Sequence, residues 1–133
     1  MTAPIYADTG KKIVICDDND DILEMLGMSL ELAGHQVKAA HGYAELLPLL
    51  KNFKPALLIL DIRMPQMDGF DVLEKIREQG FRVPVFMVTA HDHFMYRNYA
   101  PVAGVREYLA KPIDMDLLLR KIGNLNDSAV KPG

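Results

Sequence analysis

Short apolar runs alternate along this chain with longer stretches in which apolar residues recur every three or four positions. The runs at residues 12–16 (KIVIC), 56–60 (ALLIL) and 83–88 (VPVFMV) lack apolar–polar alternation, the pattern of strands covered on both faces. Residues 36–40 and 107–109 read as two weaker strands. Between strands the period becomes helical. Residues 20–33 put Ile22, Leu26, Ser29 or Leu30, and Ala33 on one stripe, and Gly34 stops the helix because glycine takes the left-handed C′ conformation cheaply. Residues 43–51 predict a second helix, with Pro48 against a regular middle and Lys54–Pro55 past its end. Pro65, Asp68 and Gly69 mark a loop before a third helix at 70–79, closed by Gly80. A polar, aromatic fourth helix is predicted at 94–103, shortened or distorted by Pro101, and Asp114 caps a fifth that ends near Ile122. Five strands and five helices in strict alternation predict an α/β fold on a parallel sheet. Residues 1–10 read as an N-terminal extension, 11–123 as one domain, and 124–133, polar and without period, as a tail or the start of a linker.

The length of 133 residues suits one core and is too short for two. No apolar run approaches the roughly 18 residues of a membrane span, and a net charge of −3 offers no general surface for nucleic acid or anionic lipid. The single cysteine, Cys16, excludes an internal disulfide, and in an apolar strand it reads as core packing. With no secretory pattern in the first ten residues, the expectation is a cytoplasmic protein. One feature of the charge does change the picture. Asp17, Asp18, Asp20 and Asp21 crowd four carboxylates into five positions.

Ligands of open α/β sheets sit beyond the carboxyl ends of the strands. There the first strand runs into Asp17–Asp18, the third into Asp61, the fourth into Thr89 and the fifth into Lys111–Pro112. Taken singly, an Asp after a strand is usually a turn or cap residue and a Lys a solvated charge. Together, three carboxylates in one place cannot all stay ionised cheaply without a cation among them. Hard oxygen ligands point to Mg²⁺, with Mn²⁺ as the alternative. A carboxylate beside such a metal can attack phosphorus and form an acyl phosphate, while metal and lysine neutralise the transferring oxygens.

The segments KKIVICDDNDD, ALLILDIRMPQMDGF, VPVFMVTA and EYLAKPID resemble the signature stretches of response-regulator receiver domains of two-component signalling, over residues 11–123. The resemblance implies a flavodoxin-like, doubly wound five-stranded sheet in the order 2-1-3-4-5 within three α/β/α layers. It implies Asp61 as phosphoacceptor, and Asp17, Asp18, Asp61 and the backbone carbonyl of Arg63 around Mg²⁺. Thr89 and Lys111 would contact the phosphoryl group, and Tyr108 would be the aromatic switch residue. A histidine kinase or histidine phosphotransfer protein would be the donor. Phosphorylation would draw Thr89 toward Asp61, turn Tyr108 inward and repack the surface of the fourth helix, fifth strand and fifth helix. Such a protein is a switch rather than an enzyme with an external substrate, expected as a monomer or weak dimer with no nucleic-acid or membrane contact.

Several positions are individual. Arg63 and His91, two residues after Asp61 and Thr89, stand where the family tunes loss of the phosphoryl group, although a solvated Arg63 is an equal reading. Phe94, Tyr96 and Tyr99 cannot all turn inward from one helix, which suggests a partner surface, against a plain core cap. His91 and His93 lack further ligands nearby and read as surface histidines. A phosphohydrolase of the haloacid dehalogenase type remains a competing class. It would need a general acid two residues after the nucleophile, where this chain has Arg63. A flavodoxin-like electron carrier would need a hydroxyl-rich loop where Asp17 to Asp21 repel phosphate. A phosphorylation-independent interaction module would not need all these site positions filled. A stand-alone receiver and one excised from a longer regulator or hybrid kinase both fit the sequence.

Overall fold

The computed structural model describes residues 10–90 and 104–130. Its elements are β1 (Lys12–Cys16), α1 (Asp20–Leu32), β2 (Gln36–Ala40), α2 (Tyr43–Asn52), β3 (Leu57–Asp61), α3 (Gly69–Glu78), β4 (Val85–Thr89), β5 (Val105–Ala110) and α4 (Met115–Val130). The predicted fourth helix at 94–103 lies outside the described residues, so α4 here is the fifth helix of the sequence reading. All five strands run parallel in the order β2-β1-β3-β4-β5, the doubly wound order the resemblance implied.

Unbroken apolar strands make sense once the faces are separated. Side chains alternate across a strand, so Ile13, Ile15, Leu57, Ile59, Phe86 and Val88 point to one side, against Leu23, Leu26 and Leu30 of α1 and Leu118, Ile122 and Leu125 of α4. Val14, Cys16, Leu58, Leu60, Val85 and Met87 point to the other, against Leu46 and Leu50 of α2 and Val72, Leu73 and Ile76 of α3. The sheet is the middle of three layers, with a separate core on each face. Among the described residues no helix is long and apolar enough to cross a membrane.

Element ends depart from the sequence reading for identifiable reasons. β3 runs from Leu57 to Asp61 rather than over 56–60, because Asp61 still pairs with Val88. β4 starts at Val85, not at 83, since Pro84 has no N–H to give the ladder and only accepts, from Leu58 N–H at 2.9 Å. β5 covers Val105–Ala110 instead of 107–109, and its extra length includes a register shift: Val85 faces Val105 but Phe86 faces Glu107. α1 buries Leu23 more fully than the predicted Ile22. α2 passes through Pro48, whose missing N–H would have served the carbonyl of Ala44, an exposed residue open to water. The largest correction concerns the last helix. Asp114 does cap it, its Oδ1 accepting from Leu117 N–H at 3.1 Å, but the helix continues beyond Ile122 to Val130. Leu118, Ile122 and Leu125 form a stripe at i, i+4, i+7, all buried, so the helical period carries on into what reads as a tail.

His35, 7 % exposed, pins the chain entering the sheet: its Nδ1 accepts from the backbone N–H of Lys11 at 3.0 Å, beside the Gln36 N–H to Lys11 carbonyl bond. Burial, and then the Lys11 charge, hold the imidazole below its usual range. The folded state therefore keeps His35 neutral where the unfolded chain would bind a proton, so this contribution is complete at neutral pH and declines as pH falls below about 6.5. Urea unfolding midpoints should drop more for the native chain than for His35→Gln between about pH 7.5 and about pH 5.5; equal drops would show that His35 titrates freely.

Candidate functional site

Parallel register fixes which residues meet at the carboxyl edge. Cys16 lies beside Leu60, Asp61 beside Val88 and Thr89 beside Ala110, so the residues ending β1, β3, β4 and β5 emerge at one level. Asp17 extends the β1–β2 ladder through its N–H to the Ala40 carbonyl at 3.1 Å, and Lys111 extends β5 through its N–H to the Thr89 carbonyl at 2.8 Å. These strand-end backbones are held by the sheet itself, which places their side chains with little loop freedom.

Asp17, Asp61 and Thr89 are nearly or fully buried, while Asp18 is exposed at the rim. One carboxylate oxygen from each of Asp17, Asp18 and Asp61 lies within 4.8 Å of the others. The Lys111 ammonium donates to Asp17 Oδ2 at 3.1 Å and approaches Asp61 Oδ1 at 3.4 Å. The backbone N–H of Arg63 reaches the same Asp61 oxygen at 3.4 Å, and its side chain is exposed. The site thus joins three carboxylates and one ammonium, a donor set two charges short of neutrality. Burial, and next the Asp17 charge, push the Asp61 carboxyl up to about 6, against the pull of Lys111 and the Arg63 N–H. At Lys111 burial pulls downward, but the Asp17 hydrogen bond and the Asp61 charge outweigh it and hold the ammonium above its usual range. A hard divalent cation on Asp17, Asp18 and Asp61 would remove the excess charge. These residues fit Mg²⁺ or Mn²⁺.

The other expected residues fall as follows. Tyr108 is half-buried on β5, packed against the core on the α2–α3 side, and burial raises its phenol. The Cys16 thiol is buried and pushed up to about 12, first by that burial and then by Asp17, which leaves it protonated as a packing group. His91, His93, Phe94, Tyr96 and Tyr99 lie outside the described residues.

Sequence reasoning did not single out several residues that shape the site. Asn19 caps α1, its Oδ1 accepting from Ile22 N–H at 3.1 Å while its own N–H donates to Asp17 Oδ1 at 2.9 Å. Asp68, read as a loop residue, caps α3 by accepting from Asp71 N–H at 2.9 Å. Gly69 opens that helix so close to β3 that a Cβ would stand 2.6 Å from the Asp61 carbonyl oxygen and 2.9 Å from Ile62 Cα. His41 explains part of the acidic crowding. Its Nε2 meets Asp20 Oδ1 at 2.5 Å and its Nδ1 meets Glu45 Oε1 at 2.8 Å, so both ring nitrogens face carboxylates, the geometry of an imidazolium. The Glu45 and then the Asp20 hydrogen bond raise its pKa. Asp20 and Asp21 also lie in the first turn of α1, where the helix dipole favours negative charge.

Two outcomes follow from this geometry. The folded Asp61 carboxyl titrates near 6 against an ordinary value of 3.8, so its charge opposes folding above about pH 6 and ceases to do so below about pH 4. In EDTA at neutral pH, Asp61→Asn should therefore raise stability by on the order of 2 kcal/mol, with the gain fading in melts recorded toward pH 4; no gain at neutral pH would contradict the repulsion. Gly69→Ala should cost about 1–3 kcal/mol and move the amide resonances of Asp61 and Ile62, because backbone, not a flexible side chain, has to give way. Unmoved resonances would mean the loop absorbs the methyl elsewhere.

The response regulator receiver domain family matches residues 13–123. Response regulator MprA of Mycobacterium avium is 33 % identical over 111 residues, covering 84 % of this chain and 49 % of its own length. The chain spans about half the length of the curated relatives it matches. The Francisella response regulator 1452 receiver domain superposes with a TM-score of 0.81 at 25 % identity, over 90 % of this chain and 99 % of its own. A CheY-like receiver domain protein from Methanospirillum hungatei gives 0.79 at 31 % identity, over 90 % and 95 %. With the fold, the strand-end carboxylates and these relatives in agreement, this chain belongs to the response regulator receiver domain family.

Proposed function

We propose that this chain is a phosphorylation-activated switch in which Asp61 accepts a phosphoryl group from a phosphohistidine of a histidine kinase or histidine phosphotransfer protein. The observation that carries this reading is the meeting of Asp61 Oδ1 with the Lys111 ammonium beside Asp17 and Asp18 at the sheet edge. An Asp61 oxygen attacks phosphorus, the P–N bond to the donor imidazole breaks, and the imidazole nitrogen keeps the electron pair and takes a proton from water. The product is a mixed carboxylic–phosphoric anhydride on Asp61. Mg²⁺ held by Asp17, Asp18, Asp61 and the Arg63 carbonyl would neutralise charge on the transferring oxygens. Lys111 is already aimed at the attacking carboxylate and would pair with one of those oxygens. Thr89 ends the neighbouring strand and would hydrogen-bond another. Its movement would be transmitted through Tyr108 to the surface formed by β5, α4 and residues 94–103. Arg63 and His91 would set how fast water removes the group, and Phe94, Tyr96 and Tyr99 would belong to the output surface.

Met25, Met28 and Leu32 form an exposed apolar row at i, i+3, i+7 on α1, 47, 59 and 81 % exposed, on the helix that starts at the site. The row supports docking of the phosphodonor along α1. Relatives about twice as long support a second statement, that this receiver works as the input module of a larger cytoplasmic regulator. Turnover of an external phosphate ester is disfavoured by Arg63 standing where a general acid would be needed.

Acetyl phosphate with Mg²⁺ should phosphorylate the native chain, add about 80 Da by mass spectrometry, and leave Asp61→Asn unmodified. Chelation should abolish the reaction, and Asp18→Asn or Lys111→Ala should slow it by about 10²-fold or more. Leu32→Glu should leave this small-molecule reaction intact while slowing transfer from a phosphohistidine protein. Modification that persists in Asp61→Asn would overturn the assignment.

A further inference from the structure

The sheet has a second pole, where the strands begin, and it is basic. Lys51 at the end of α2, Lys54 before β3 and Arg82 before β4 line one groove of about 340 Å³ with Leu50, Pro55, Phe81 and Val83. The three cations are exposed, and Pro55, Phe81 and Val83 are half-buried beneath them. Beside the groove the ammonium groups of Lys12 and Lys38 sit 5.5 and 5.9 Å from the centre of the Phe53 ring. None of these five cations forms an ion pair with a carboxylate among the described residues. In a chain of net charge −3, this basic cluster stands apart from the carboxylates of Asp17, Asp18 and Asp61.

Lys54 carries a second, independent sign. It follows the α2 C-cap Phe53, has φ +54°, and its N–H reaches back to the Leu49 carbonyl at 3.3 Å. This is the left-handed C′ position, where glycine is favoured and a side chain costs conformational energy. The backbone of Pro55 adds a further restriction on the residue before it. A lysine here is not needed for the helix dipole, since Lys51 already occupies the last turn. A side chain kept in a strained conformation at the mouth of a groove is evidence that the side chain itself is used.

We propose that this groove, with Lys51, Lys54 and Arg82 around an apolar floor of Phe81 and Pro55, docks an acidic peptide segment of a partner protein, one apolar side chain inserted between carboxylates. Charge complementarity selects an anion, and a concave apolar floor selects a ligand with an anchoring side chain over a bare polyanion. The acidic opposite pole disfavours long polyanions that would run past the patch. The site lies on the pole opposite Asp61 and does not depend on phosphorylation.

The test uses a short fluorescein-labelled peptide bearing glutamates around a Leu-Phe pair, with anisotropy as the readout on the full chain. Saturable binding is expected, weakened by added salt. Lys54→Gly and Arg82→Ser should each weaken it at least about tenfold, whereas Lys75→Ser, whose ammonium lies over the Tyr43 ring and outside the groove, should not. Lys54→Gly should at the same time raise Tm by about 2–4 °C, because strain is relieved while binding is lost. Should Lys54→Gly not fold, Arg82→Ser decides alone. No saturable binding, a loss equal in Lys75→Ser, or equal or tighter binding of polyglutamate, an oligonucleotide or phosphatidylglycerol vesicles would overturn the proposal.

Discussion

Like charges held together at the carboxyl edge of the sheet are the constraint on which the rest of this molecule depends. Asp17 and Asp61 are nearly buried, Asp18 stands at their rim, and a single ammonium, Lys111, bridges the two buried carboxylates. Such an arrangement opposes folding by itself, as the raised Asp61 carboxyl records. Two apolar cores, one on each face of the sheet, supply what it costs. A site that is electrostatically short of positive charge is also one that gains most when a cation and a phosphoryl group arrive, which is how stored repulsion becomes ligand affinity.

The sheet register converts that cost into precision. Parallel strands covered on both faces leave little room for slippage, because a one-residue shift would exchange the two cores. Asp61 inside the β3–β4 ladder and Lys111 tied to Thr89 are therefore positioned by backbone bonds rather than by loops. The one loop that matters is constrained as well. The α3 backbone at Gly69 rests on the carbonyl of Asp61, so the glycine is set by contact rather than by a positive φ.

Two clusters of opposite charge stand toward opposite ends of the strands. The acidic pole draws in His41, which lies between Asp20 and Glu45 and links α1 to α2 beside the site. At the other end, Lys51, Lys54 and Arg82 form no ion pair with a carboxylate among the described residues, and Lys54 is left-handed. One end is organised around phosphoryl chemistry in the proposed reading, and the other around recognition of negative charge.

The apolar runs, their spacing and the residues that close them sufficed to place Asp17, Asp18, Asp61, Thr89 and Lys111 at one sheet edge, because period and strand-end position are local properties of a chain. Strand order came from resemblance, and the structure bears it out. Where each strand begins and ends was legible only approximately, since pairing partners such as Val88 for Asp61 are distant in sequence. The extension of α4 past Ile122 was hidden because the segment is rich in polar residues, although buried Leu125 continues the stripe. The roles of Gly69, Asn19, His41 and Lys54 are tertiary or conformational. The close approach at Gly69 and the bridge from His41 to Asp20 depend on what folding brings near, which no local pattern encodes. The Asn19 bonds and the left-handed Lys54 are local, but they are set by backbone conformation at helix ends rather than by hydrophobic period.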